Sequence, residues 1–199
     1  MTLLQERDQT RTARAAHRAV LKTERLVLRA PRPDDAKAIK SLINDRRIAE
    51  NTARIPHPYR LKDARTYIDA IDSGREPGFL ITVDGKVVGG CGIGTLRNDG
   101  PEIGYWIGVS HWGKGYATEA ARALIDHAFS ELGYGELMAG ARVSNPASRR
   151  VLEKCGFQWT GVVLQRIHSI QSSAPCDRFR LDRGLWASLR SWGTTHPIA

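Results

Sequence analysis

Trp112-Gly113-Lys114-Gly115-Tyr116-Ala117 stands between a strand-like run, Glu102 to Val109, and a strongly periodic helix. Ala117, Ala120, Ala121, Leu124, Ile125, Ala128, Phe129 and Leu132 recur at three- and four-residue steps, the signature of one apolar helix face. Thr118, Glu119, Arg122, Asp126 and Ser130 fall on the opposite face, and Gly133 ends the pattern. The first turn of a helix leaves about four N–H groups without intrahelical partners, and the macrodipole adds roughly half a positive charge there. Gly113 and Gly115 have no Cβ, so an anion can come close to the backbone. The stretch therefore predicts a phosphate site at a helix N-terminus.

Two common phosphate loops do not fit these letters. The P-loop needs GxxxxGK followed by Ser or Thr, whereas Lys114 is followed by Gly115. The dinucleotide fingerprint GxGxxG is approached only by Gly90-Cys91-Gly92-Ile93-Gly94, where Thr95 takes the place of the last glycine and no helix follows. Gly89 to Gly94 reads instead as the end of a strand whose backbone packs closely on a neighbour.

A third loop is similar. The pyrophosphate loop of the GCN5-related N-acetyltransferases (GNAT family) is written as Gln or Arg, two residues, Gly, one residue, then Gly or Ala, and this chain resembles it. Trp112 occupies the Gln/Arg place, while Gly115 and Ala117 occupy the two small-residue places, a pattern resembling the RimJ/RimL-type branch. Asn145-Pro146-Ala147-Ser148, continuing to Glu153-Lys154-Cys155-Gly156-Phe157, is similar to the Asn-x-x-Ser…Glu-Lys-x-Gly-Phe segment of that branch. The residues alone also describe a capped helix over 146–155, with Asn145 at the N-cap, Pro146 at the first helical position and Gly156 beyond the end.

The order of elements agrees with the resemblance. A first strand is predicted at Arg25 to Arg29, a helix after Asp34 and Asp35, a second helix from Leu61 to Asp72, and a hairpin of Phe79 to Val83 and Lys86 to Ile93 about Asp84-Gly85. Further strands follow at Glu102 to Val109, Leu137 to Val143, Phe157 to Leu164 and Arg178 to Leu185, with a polar loop at Ser169 to Pro175. This order predicts an α/β (α+β) domain with a mixed, mostly antiparallel sheet and helices on both faces. Residues 1–22 are expected to be an arm, 23–187 the domain and 188–199 a tail.

Composition sets bounds. The 199 residues allow one well-buried domain, and no apolar run reaches the 18 or so residues that span a bilayer. Residues 1 to 19 carry no secretory apolar segment, and Cys91, Cys155 and Cys176 form no even framework, which together predict a cytoplasmic location. The six histidines show no zinc spacing, so no metal is expected. A net charge of +9 allows RNA or ribosome binding, but Phe and Tyr do not interleave with the basic residues as in an RNP motif.

The resemblance implies the rest. The fourth and fifth strands would splay to admit the pantetheine arm of acetyl-CoA, with Ile107, Gly108 and Val109 pairing to its amides. Trp112, Gly113, Lys114, Gly115, Tyr116, Ala117 and Thr118 would hold the pyrophosphate, and Asn145 would contact pantetheine as well as cap its helix. The implied activity is acetyl transfer to a primary amine, on a protein N-terminus or a small molecule, by direct attack in a ternary complex. Glu102 is the candidate base or else a solvated strand-end acid, and Ser148 is the candidate partner of the departing sulfur or else a surface polar residue. Relatives in other branches use a Tyr on the last helix, and residues 145–156 contain none. The acceptor site would be built from about Ile48 to Arg60 and Arg166 to Arg178, where Glu50 and Asp177 are the main acids. A non-catalytic acetyl-CoA sensor and an RNA-binding protein are the other classes. Trp186, Leu189 and Trp192 are candidates for a homodimer contact.

Overall fold

The computed structural model describes residues 19–74, 77–95 and 100–195, with side chains as far as residue 191. The elements are β1 (Leu21–Lys22), β2 (Val27–Arg29), α1 (Ala36–Ile43), α2 (Arg46–Ala49), α3 (Leu61–Asp72), β3 (Gly78–Val83) and β4 (Lys86–Gly94). They continue with β5 (Glu102–Ile107), α4 (Tyr116–Ser130), β6 (Glu136–Arg142), α5 (Pro146–Lys154), β7 (Gln158–Ile167), β8 (Ser172–Asp182) and α6 (Arg183–Thr195). The eight strands form one sheet in the order β1-β2-β3-β4-β5-β6-β8-β7, and every pairing is antiparallel except β5 with β6.

Helices cover both faces. On one side Leu124, Ala128 and Phe129 of α4 and Leu152 of α5 pack on Leu28, Phe79, Ile81, Ile103 and Phe179. On the other, Ile39 and Ile43 of α1 and Ala64 and Ile68 of α3 pack on Leu80 and Trp106. Burial on both faces explains why Phe79 to Thr82 is a continuous buried run rather than an alternating one. The hairpin turn is as predicted, with Asp84 at φ 47° and Gly85 at φ 75°, both on the positive side that a type I′ turn requires. Gly89 to Gly94 is strand β4, and its glycines answer to close packing. A Cβ on Gly90 would come within 2.7 Å of the Trp106 indole, and one on Gly89 within 2.4 Å of the Trp106 carbonyl.

Several boundaries differ from expectation. Leu21 and Lys22, assigned to the arm, pair with Leu28 and Val27, while residues 1–18 lie outside the described residues. The polar stretch before Arg178 is already strand, because Ser172 and Ser173 pair with Ile167 and Arg166 of β7. Pro175 fits there because it lies just past the last β6–β8 pair, Arg142 with Cys176, where a missing N–H interrupts little. Leu185 and Ser188 belong to α6, not to a strand and a tail, since the Asp182 carboxylate accepts the Leu185 N–H at 2.9 Å and caps a helix that runs to Thr195.

Candidate active site

The loop before α4 turns through Gly113 (φ 76°) and Gly115 (φ 80°), both left-handed, a region that L side chains enter only with strain. The first bond into the helix is Glu119 N–H to the Gly115 carbonyl at 3.1 Å. Among the described residues, the backbone N–H groups from Gly113 to Thr118 have no acceptor within the chain. Six consecutive amides at the positive end of a four-turn helix suit the two phosphates of a pyrophosphate. The loop is braced from behind. Arg25 donates from its backbone (2.9 Å) and Nε (2.8 Å) to Glu119 and from Nη1 to the Lys114 carbonyl (3.0 Å), and Thr23 Oγ1 donates to Glu119 at 2.5 Å. Burial alone would push the Glu119 carboxyl up, but the bonds from Thr23 and Arg25 outweigh it and hold the group below the usual carboxylate range.

Trp112 has internal partners beside its place in the motif. Its indole N–H donates to the Ile107 carbonyl at 2.7 Å, and the Arg47 guanidinium lies 5.9 Å from its ring centre. The only polar donor of the side chain is thus committed within the chain, and Trp112 straps the loop to the end of β5.

β5 and β6 are paired only at Glu102 with Met138 and Ile103 with Ala139, after which the two parallel strands part. The Pro101 carbonyl accepts the Met138 N–H (2.8 Å), so by alternation Ile103, Tyr105 and Ile107 turn their backbone groups toward β6. Residues 107 to 109 are therefore not three equivalent edge groups. Gly108 N–H faces the other way and donates to the Val88 carbonyl (2.9 Å), the Gly108 and Val109 carbonyls accept from His111 and Trp112, and the Ile107 carbonyl is held by the Trp112 indole. Tyr105 and Ile107 open on the gap, and among the described residues the Val109 N–H is also without an acceptor.

The gap has different chemistry on its two faces, because residues an odd number apart in a strand point oppositely. Toward α5, the Tyr105 hydroxyl lies 2.9 Å from Ser148 Oγ and 3.2 Å from the Ser148 carbonyl. Burial pushes the Tyr105 phenol well above the ordinary tyrosine range, against the opposing hydrogen bond with Ser148. Asn145 Oδ1 caps α5 by accepting the Ser148 N–H at 3.2 Å, which fixes the serine at the gap. Toward α3, Glu102 opens on a cavity of about 530 Å³ lined also by Arg54, Tyr59, Asp63, Gly104, Arg142 and Arg178. Arg178 Nη1 donates to Glu102 Oε2 at 2.8 Å, and the two side chains are only 6% and 11% exposed.

The sequence did not single out Tyr105, Arg142 or Arg178. Tyr105 lies three residues after Glu102 on a strand that had already been assigned, yet its contact with Ser148 joins positions 43 apart. The two acids expected at the acceptor site, Glu50 and Asp177, do not line this cavity. Asp177 is buried and accepts from the Trp159 indole (2.8 Å) and Arg149 (3.4 Å), and Glu50 pairs with Arg46. Asp63 and Glu102 line the cavity instead. Of the proposed dimer residues, Trp186 packs on Phe129 and donates to Asp126 at 2.7 Å, and nothing is described of the Trp192 side chain.

The sequence of residues 25–158 matches the Acetyltransferase (GNAT) domain family. This chain belongs to the GNAT family. The acetyltransferase is 32% identical over 151 residues to the uncharacterized N-acetyltransferase p20 of Bacillus licheniformis, covering 72% of this chain and 84% of the relative. It is 32% identical over 89 residues, 44% of this chain and 50% of the relative, to a ribosomal-protein-serine acetyltransferase of Escherichia coli. Its fold superposes on Mycobacterium smegmatis RimJ in complex with CoA-disulfide with a TM-score of 0.75 at 21% identity, over 89% of this chain and 96% of that one. Acetyl-CoA is the acetyl donor of this GNAT enzyme. The GNAT splay between the fourth and fifth strands is the β5–β6 parting here, since β1 adds one strand at the start. No helix among the described residues is long and apolar enough to cross a membrane.

Proposed function

We propose that this GNAT enzyme moves an acetyl group to the primary amine of a protein N-terminus or small molecule by direct attack, with Glu102 as base and Ser148, backed by Tyr105, as proton donor. The observation that carries this reading is the meeting of Glu102–Arg178 on one face and Tyr105–Ser148 on the other where β5 and β6 part. Acetyl-CoA supplies an activated acetyl group as a thioester. The amides of Gly113 to Thr118 would bind its pyrophosphate, and the edge of Tyr105 and Ile107 with Asn145 would guide its arm. Arg178 holds the Glu102 carboxylate in one orientation, so that it receives the proton of the acceptor ammonium directly or through water. On the far face, Ser148 Oγ holds a proton that the neutral Tyr105 hydroxyl replaces.

Direct attack is favoured over an acetyl-cysteine step. Cys91 and Cys176 line the cavity, but burial pushes both thiols up, Cys91 to about 12, so neither supplies a thiolate near neutral pH. The ribosomal-protein-serine acetyltransferase among the relatives supports a protein amine as one acceptor class.

The test is acetyl-CoA-dependent acetylation of a panel of peptide N-termini, lysine peptides, amino acids and polyamines, read by mass spectrometry. Ser148→Ala is expected to lower kcat about 10- to 100-fold with little change in KM for acetyl-CoA, and Tyr105→Phe to lower it less. The double variant should be no worse than Ser148→Ala, because the two hydroxyls form one relay. A chain that binds acetyl-CoA and acetylates nothing would instead be a sensor.

Gly104 supplies a separate test of the acceptor face. It lies between Glu102 and Trp106 on the cavity side, and a Cβ there would meet nothing within 4 Å. Gly104→Val is expected to keep the thermal midpoint within about 2 °C, since a β-branched residue suits a strand, while narrowing the cavity and raising acceptor KM at least about 10-fold. Unchanged acceptor kinetics would move the acceptor away from this face.

A further inference from the structure

The acetyl-transfer reading leaves Arg142 without a task. It ends β6 on the same face as Gly140 and Met138, while Leu137, Ala139 and Ala141 turn into the core, and its side chain lines the acceptor cavity. Arg142 Nη1 donates to the Glu50 carbonyl at 2.6 Å, and Nε is buried without a partner. Among the described residues no carboxylate pairs with this guanidinium. Its neighbour Arg178 is paired with Glu102, whereas Arg142 has no carboxylate partner among the described residues. A half-buried guanidinium whose Nε is buried and unsatisfied is favoured when a charged acceptor completes its hydrogen bonds.

Register places this cation relative to the chemistry. Glu102 is paired with Met138, so Arg142 lies four residues farther along β6, about 13 Å at 3.3 Å per residue, and the parting of β5 from β6 falls between the two. The Glu102 carboxylate, held by Arg178, thus stands where the strands are still paired, and the Arg142 guanidinium, without a carboxylate among the described residues, stands beyond their parting. We infer that the preferred acceptor is a primary amine carrying an anionic oxygen group a few bonds away, held by Arg142 while the amine faces Glu102. A free acidic amino acid and a peptide N-terminus with an acidic second residue share this chemistry. The inference rests on the acetyltransferase reading and narrows its substrate.

Matched acceptors that differ only in the anion decide it: glutamic acid α-amide against glutamine α-amide, and Ala-Asp-Ala amide against Ala-Asn-Ala amide. In at least one pair the acidic member is expected to show kcat/KM about 10- to 100-fold higher, mostly through KM, and the responding pair identifies the source. Arg142→Gln should reduce the acidic member to the level of its neutral partner and leave the neutral one within about 3-fold, while Arg142→Lys restores part of the preference. Without acetyl-CoA, the preferred acid should raise the thermal midpoint of the native chain but not of Arg142→Gln.

Equal use of both members by the native chain overturns the inference and leaves acetyl transfer standing. So does an Arg142→Gln variant that slows both members alike, which assigns Arg142 only to bracing Glu50. Absence of acetyl-CoA-dependent turnover throughout the wider amine panel, with no stabilisation by either acid, overturns both readings.

Discussion

Saturating acetyl-CoA is expected to raise the thermal unfolding midpoint by roughly 5–10 °C, and Gly115→Glu to remove that rise. At 100 times its dissociation constant a ligand specific for the native state adds about 2.7 kcal/mol, and a chain of this length gains about 2–4 °C per kcal/mol. Gly115 sits at φ 80°, where any side chain is strained, and a Cβ there would come within 3.3 Å of Arg25 Nη2. A glutamate would add its own carboxylate beside the amides of Gly113 to Thr118, so it competes for the same donors as a phosphate. Gly115→Ala carries the backbone strain without the charge, and should keep part of the ligand-induced rise. A full rise retained in Gly115→Glu would place the pyrophosphate elsewhere.

Glu102→Gln is expected to lower kcat/KM at pH 7 by about 10²- to 10³-fold, with about tenfold of the loss recovered at pH 9 for α-amine acceptors. An α-amine with an ordinary pKa near 8 is about one-tenth neutral at pH 7 and about nine-tenths neutral at pH 9, so raising the pH replaces the base by roughly tenfold. A lysine acceptor, neutral in about one molecule in 2,500 at pH 7, should gain far more over the same interval. A loss of equal size at both pH values would assign Glu102 to holding Arg178 rather than to moving a proton. Stability must be measured beside the kinetics. Arg178 loses its bond to Glu102 in this variant, so a lower midpoint is expected and assays belong well below it.

Where local spacing or a capping residue decided conformation, the sequence was sufficient. Periodicity located α1, α3 and α4, Asp84-Gly85 located the hairpin, and Asn145 with Gly156 bounded α5. The loop motif at Gly113 to Ala117 and the segment at Asn145 to Phe157 pointed to the GNAT family, because a backbone that cradles phosphate depends on a few small residues close together in the chain. Errors arose where long-range pairing outweighed local character. Polar Ser172 and Ser173 became strand because β7 offered them a ladder, and Asp182 turned an apolar run into a capped helix.

Only the tertiary structure decided which side chains meet. Tyr105 to Ser148, Glu102 to Arg178 and Arg142 to Glu50 join residues 43, 76 and 92 positions apart, and no periodicity reaches across such intervals. Strand alternation and the parting of β5 from β6 put the carboxylate on one face and the hydroxyl pair on the other. They also gave Trp112 and Gly108 internal partners that their place in the motif did not disclose. The sequence by itself determined the elements and the anion-binding loop, since those follow from neighbours in the chain. The proton-handling groups and the cation of the acceptor cavity follow from how distant strands align, which is a property of the folded sheet.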